Sequence, residues 1–283
     1  MSGGVSCRSG SGNGTGNGNG NSPSISLRVQ GGFANRLRAI VSAVLWAEDI
    51  GRKLVIYWPV EPGHMPCSFE EIFVVDSIPG LCCVHKGYLS SAHQVLKEDD
   101  MALMADMFGT AEDIRIESYA IFHPDLRQLT ARGLAALRQI RIQPRLETLA
   151  DQLWKEVGGQ TNWIAIHFRG TDHKKCLAAS PFESFVLAIK TILNGYTNQK
   201  FLLCTDEYDV AETLQAMFGK EKIAVPVVVR GRRLPEQQLM AVIDWLLMQR
   251  CTDILASAGS SFSETAAWRS GSQLIPITDK CRS

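Results

Sequence analysis

The stretch Trp163–His173, WIAIHFRGTDH, constrains this chain more than any other. Its first six residues are apolar except for His167, the pattern of a strand buried on both faces of a parallel sheet. A polar cluster follows at the carboxyl end: His167, Arg169, Thr171, Asp172 and His173, with Gly170 where the chain turns. In open α/β sheets, ligands bind in the crevice outside the carboxyl ends of the strands, where loops and helix N-termini converge. The pattern occurs three times in the second half. WIAIHF runs into Arg169-Gly-Thr-Asp172, FLLC (201 to 204) into Thr205-Asp206-Glu207, and DILAS (253 to 257) into Ala-Gly-Ser-Ser-Phe-Ser-Glu264. Helical patterns at 182 to 193, 208 to 218 and 236 to 250 separate or flank them, as right-handed parallel crossovers require. Three polar strand ends are therefore expected along one cleft.

The first half opens with a short strand pattern, Ile25 to Val29, followed by Gln30, Gly31, Gly32, Phe33, Ala34 and Asn35. Leu37, Ile40, Val41, Val44 and Leu45 then recur at helical spacing, and Gly51 is a good helix terminator. KLVIYW (53 to 58) completes a βαβ unit. Asn35 is expected to cap the helix. The turn has neither the GK[ST] of a P-loop nor the three-glycine spacing of a dinucleotide fingerprint, so neither an ATPase nor a dehydrogenase is supported. It reads as a plain tight turn or as a place where a ligand approaches the backbone. Residues 59 to 100 hold Pro59, Pro62, Gly63, Pro66, Pro79 and Gly80 among short apolar pieces and read as loops and small strands. IRIESYAIF (114 to 122) alternates like a strand, and Leu126 to Val157 is helical in pattern with an interruption at Pro144.

Composition narrows the function classes. Twenty-nine basic residues balance 29 acidic ones, so no overall field attracts nucleic acid or an anionic membrane. No apolar run approaches the ~20 residues of a membrane span. The default expectation is a soluble protein of the cytoplasm, with the ER or Golgi lumen as the alternative if an anchor lies outside this chain. Eight cysteines lack a CxxC spacing, and free, mostly buried thiols are expected rather than zinc or a redox dithiol. Residues 1–23, rich in Gly, Ser and Asn, read as a disordered tail.

Several side chains can carry chemistry. Arg169 stays charged and needs an anion: Asp172, Asp206 or a ligand phosphate. Gly259, Ser260 and Ser261 precede a helix start and form either a simple cap or a phosphate site. Asp244 has Met240, Ala241, Leu247 and Met248 three and four positions away, so it must be paired. An arginine would serve, as would a ligand edge with two N–H donors such as guanine. His167 is a core histidine or a ligand contact. No DxD metal triplet occurs, and the acidic run Glu98-Asp99-Asp100 reads as solvated surface.

Four places together resemble the superfamily of nodulation-type and core α1,6-fucosyltransferases and protein O-fucosyltransferases. They are Gly31 to Arg36 with its helix and following strand, His167 to Asp172, Thr205-Asp206, and Asp244 with SSFSETAAW. The resemblance implies a GT-B-like α/β fold, two Rossmann-like domains with parallel sheets facing across a cleft: residues 24–155 on the acceptor side and 156–283 holding the nucleotide sugar. It implies GDP-fucose as donor, a glycan or glycoprotein acceptor, inversion at the sugar carbon, and no metal or other cofactor. His167 and Asp244 resemble guanine contacts. Arg169 resembles the essential residue that neutralises the diphosphate. Ser261, Phe262 and Ser263 resemble the segment lining phosphates and ribose, Gly32, Asn35 and Arg36 the first-domain residues that close on the donor, and Asp172 and Asp206 further donor-binding positions. A second arginine usual in the core α1,6 enzymes is replaced here by Gly170. Asp172 and Glu183 are candidates for the general base. Another nucleotide sugar as donor, or a catalytically silent nucleotide- or carbohydrate-binding module, are the competing readings.

Overall fold

A computed structural model describes residues 23–62, 64–86, 94–96, 113–160, 162–170, 178–226 and 234–279. The N-terminal tail up to residue 22, Asp172, His173 and the acidic run at 98–100 lie outside the described residues.

Strand β1 (Ser24–Val29) runs through the glycine turn into helix α1 (Phe33–Asp49) and then strand β2 (Lys53–Tyr57). Gly31 has φ +74°, a left-handed conformation that favours glycine. Gly32, not Asn35, is the N-cap, and no side chain caps the helix. Asn35 lies inside the first turn, which begins at Phe33, and its side-chain oxygen accepts a hydrogen bond from Arg38 at 2.8 Å. Gly51, just past the helix end, has φ +63° as expected of a terminator. The proline-rich stretch gives only the short α2 (Phe69–Ile72), one 3₁₀ turn at Val75–Ser77 and strands β3 (Leu81–His85) and β4 (Gln94–Leu96). Strand β5 (Ile114–Ser118) is shorter than its alternating sequence. The helical pattern beyond it resolves into α3 (Pro124–Arg127), α4 (Ala131–Gln139) and α5 (Pro144–Glu156), with Pro144 starting α5 rather than breaking a helix.

The second half follows the expected alternation: β6 (Ile164–Phe168), α6 (Phe182–Gly195), β7 (Phe201–Thr205), α7 (Tyr208–Phe218), β8 (Ile223–Ala224), α8 (Pro235–Met248), β9 (Asp253–Ser257), α9 (Ser261–Ser270) and β10 (Gln273–Ile277). Among the described residues these strands all pair in parallel. The strand orders are β3-β2-β1-β5-β4 and β10-β9-β6-β7-β8. In each sheet the first strand lies in the centre and the order reverses beside it, which puts the ligand-binding crevices next to β1 and β6.

Strands β6 and β7 are buried throughout because a helix layer covers each face. Ile164, Ile166, Phe168, Phe201 and Leu203 pack toward α6 and α7. Ala165, Leu202, Cys204 and Ala256 face α8 and α9, in an apolar cluster continuous with the first sheet and α1. Helix α1 contacts α9 and α4, while α5 lies against α8. The helices thus form a common layer between the sheets, and the expected boundary near residue 155 falls at the end of α5. Among the described residues, no helix is long and apolar enough to cross a membrane. Cys67, Cys82, Cys83, Cys204 and Cys251 are free thiols. Burial pushes the Cys67 and Cys251 thiols up to about 12, so both are neutral near pH 7.

Candidate functional site

The crevice beside β6 is organised by Ser257 at the end of β9. Its hydroxyl accepts the Arg169 backbone N–H at 3.1 Å, and its carbonyl accepts the Ser260 N–H at 3.3 Å. On the other side, the Asp206 carboxylate accepts the Gly170 N–H at 2.9 Å. The backbone that carries Arg169 is therefore held from both neighbouring strands, which sets the origin of its side chain. Asp206 acts here as a brace for the loop. Any side chain at position 170 would collide with Glu207, so glycine suits the close approach of these two strand ends.

Gly259, with φ +71°, turns the chain into α9. Ser260 is the N-cap, yet its hydroxyl makes no cap bond. The Ser260 side chain is only 4% exposed, and its Oγ has no hydrogen-bond partner among the described residues. A buried hydroxyl without a partner costs about 1–3 kcal/mol. It sits at a helix start, where backbone N–H groups favour an anion. Ser263 is buried and donates to the Ser260 carbonyl at 3.1 Å. Ser261 and Phe262 are half-buried in the same turn.

His167 is 7% exposed and lies against the Phe262 ring, with centroids 5.2 Å apart. The ladder places His167 opposite Cys204, whose thiol reaches the Asp244 carbonyl at 3.8 Å. His167, Phe262 and the half-buried Asp244 therefore border the same side of the second sheet, next to the Ser257 hub.

The first half supplies the opposing wall. Phe33, in the first turn of α1, meets Phe262 edge-on at 6.4 Å and Trp245 at 5.1 Å. A side chain at Gly32 would meet no atom within 4 Å, so that position opens onto free space. Arg36 is placed differently from its neighbours. It is fully buried beneath the turn, donating to the Gly31 carbonyl at 2.7 Å, the Pro59 carbonyl at 2.8 Å and Glu61 at 3.0 Å. It also covers the Trp58 ring at 4.5 Å. In this arrangement Arg36 holds the turn from below instead of facing the cleft.

The contacts join the glycine-turn end of α1, which carries Gly32 and Asn35, to the ends of β6 and β9 and the start of α9, which carry His167, Arg169, Ser261, Phe262 and Ser263. Asp244 is linked through Cys204 and Asp206 through Gly170, and Arg36 is buried beneath the turn. Asp172 lies outside the described residues, and Glu183 stands exposed in the first turn of α6. Phe33, Arg38, Trp245 and Glu264 lie beside these segments and were not singled out from sequence, whereas Ser260 was, as part of a cap or phosphate site. The signal for Arg38 was present, since Arg36 and Arg38 are the two charged residues in the 15 positions from Phe33 to Ala47. Among the described residues, no group of three or more His, Cys, Asp or Glu could hold a metal ion.

No family model matches the sequence, and no curated protein matches it. Solved structures do match in shape. The NodZ α1,6-fucosyltransferase soaked with GDP-fucose is similar at a TM-score of 0.61 and 20% identity, over 87% of this chain and 92% of that one. Another NodZ structure in the set is from Bradyrhizobium. An Arg-to-Lys variant of Arabidopsis thaliana FUT1 bound to GDP gives 0.59 at 13% identity, over 89% and 69%. POFUT1 bound to GDP gives 0.55 at 9% identity, over 90% and 99%. The fold expected from the motifs is borne out: the chain has the two-sheet, GT-B-like α/β architecture of these fucosyltransferases.

Proposed function

We propose that the protein is a glycosyltransferase that moves fucose from GDP-fucose to a glycan or glycoprotein acceptor, with inversion and without a metal ion. The observation that carries this reading is the unpartnered, buried Ser260 hydroxyl at the start of α9, joined through Ser257 to the backbone of Arg169. An anion seated there would accept from the hydroxyl and the helix N–H groups while the guanidinium neutralises it. The His167–Phe262 pair beside it offers a surface for a base, and Asp244 offers a carboxylate for the two N–H groups of a guanine edge. The GDP and GDP-fucose complexes of the similar folds support a guanine nucleotide over other ligands.

The chemistry follows from charge development. As the bond between the sugar carbon and the diphosphate breaks, positive charge grows on the ring and negative charge on the leaving oxygen. A fixed guanidinium at that oxygen lowers the transition state more than the ground state. Arg169 fills the role that a metal ion has in other transferases. The 24–155 unit is proposed to carry the acceptor, and its glycine turn to close on the donor. Gly170, with Glu207 packed over it, favours one competing reading, a module that binds nucleotide without turnover.

A thermal-shift comparison of GDP, UDP and ADP tests the assignment. At 100 times its dissociation constant a ligand adds about 2.7 kcal/mol of stability. GDP is expected to raise the melting temperature, and UDP and ADP far less. Equal shifts with all three, or none, would refute the guanine assignment. A GDP shift without turnover of GDP-fucose against any acceptor would identify the silent module.

A further inference from the structure

Asn35 and Arg38 form a pair that the outline above does not use. Arg38 is 9% exposed, and its Nη2 donates to the Asn35 side chain at 2.8 Å. Arginine has donors and no acceptor, so the Asn35 atom facing it must be the amide oxygen. The amide nitrogen is thereby turned the other way, toward the turn: Asn35 Nδ2 would lie 3.0 Å from a Cβ built on Gly31. The Asn35 side chain is half-buried and reachable. Across the cleft, Glu264 in the first turn of α9 lies 3.8 Å from Arg38 Nη1 and is 27% exposed. One buried cation therefore touches the amide of the first half and the acid of the second.

We propose that Arg38 is a positioning residue that locks Asn35 as a hydrogen-bond donor, so that the amide N–H₂ of Asn35 meets a negatively charged oxygen of the nucleoside diphosphate opposite Arg169. The inference rests on the proposed function and adds a polarity to it. Asn35 presents protons and cannot accept one from the acceptor hydroxyl. It also gives Arg38 a second task. Because the same guanidinium spans to Glu264 on α9, the amide is set correctly only when the turn and the α9 segment are in register. A fixed N–H aimed at a leaving oxygen stabilises charge that grows in the transition state, so its loss falls mainly on kcat.

The test uses the full chain with GDP-fucose, read as donor turnover and as GDP affinity by calorimetry, for Asn35→Ala, Asn35→Asp, Arg38→Met and the Arg38→Met/Asn35→Ala double variant. Asn35→Asp keeps the size and the Arg38 contact but replaces the N–H₂ by an anion. It is expected to lose about 100-fold in kcat, as much as Asn35→Ala. Arg38→Met frees the amide to rotate and is expected to lose roughly 10- to 100-fold in kcat with KM for the donor little changed. In the Asn35→Ala background it should add almost nothing, since the residue it orients is gone. Asn35→Asp activity within a few fold of the parent would overturn the inference, because the amide would then be an acceptor. So would Arg38→Met and Asn35→Ala losses that multiply, or an Arg38→Met variant with a lower urea midpoint and unchanged kcat. A parent protein that binds no GDP would instead bring down the functional reading itself, and this inference with it.

Discussion

Replacing Arg169 by alanine is expected to reduce fucosyl transfer by about three orders of magnitude or more, the range seen when a charge-neutralising arginine is removed from a phosphate leaving group. The backbone at this position is pinned by Ser257 and Asp206, so the substitution removes the guanidinium without releasing the loop. The circular-dichroism spectrum and the urea midpoint should stay close to the parent's. GDP affinity should fall by much less than kcat, since the charge that Arg169 meets is greatest when the bond has broken. Arg169→Lys should recover only part of the rate, because an ammonium lacks the two-pronged geometry. Activity of Arg169→Ala within a few fold of the parent would contradict the mechanism.

Trp245→Ala carries the largest expected loss of stability. The indole is fully buried and meets Phe33 edge-on at 5.1 Å. Its Nε1 donates to Thr265 at 3.1 Å, and the Arg269 guanidinium lies 5.2 Å from the ring centroid. Removing it empties the place where α1, α8 and α9 meet. A loss of about 3–5 kcal/mol follows from large-to-small substitutions of this kind. The effect should extend to function, because Phe33 loses the surface that holds the glycine turn against Phe262. Urea denaturation should show a lower midpoint, and calorimetry a weaker GDP complex. A variant as stable as the parent would show that the two halves do not depend on this contact.

Much of this arrangement was legible in the sequence for a simple reason. Residues buried on both faces of a parallel sheet must be apolar, so Ile164–Phe168 and Phe201–Thr205 announce themselves as strands and the polar groups after them as crevice residues. Gly31 and Gly259 mark turns because their backbone angles require it. Contacts between distant segments leave no such local trace. Asn35 has the composition of a cap, but a partner one turn later, Arg38, takes its oxygen. Arg36 sits next to donor-facing residues in sequence, yet the helical rotation points it beneath the turn to Pro59 and Glu61. Trp245 follows Asp244 directly, and nothing local in the sequence sets it apart, although it packs edge-on against Phe33 of the first half. Ser260 read as a cap or as part of a phosphate site, and the sequence could not show that its hydroxyl is enclosed and makes no cap bond.

A crystal structure of the protein grown with GDP is the most direct measurement. The guanine should lie along the His167–Phe262 surface with its N–H edge on the Asp244 carboxylate, and the β-phosphate should sit between the start of α9 and the Arg169 guanidinium, with Ser260 Oγ donating to it. A nucleotide found elsewhere, or a cleft still empty at saturating GDP, would contradict the account.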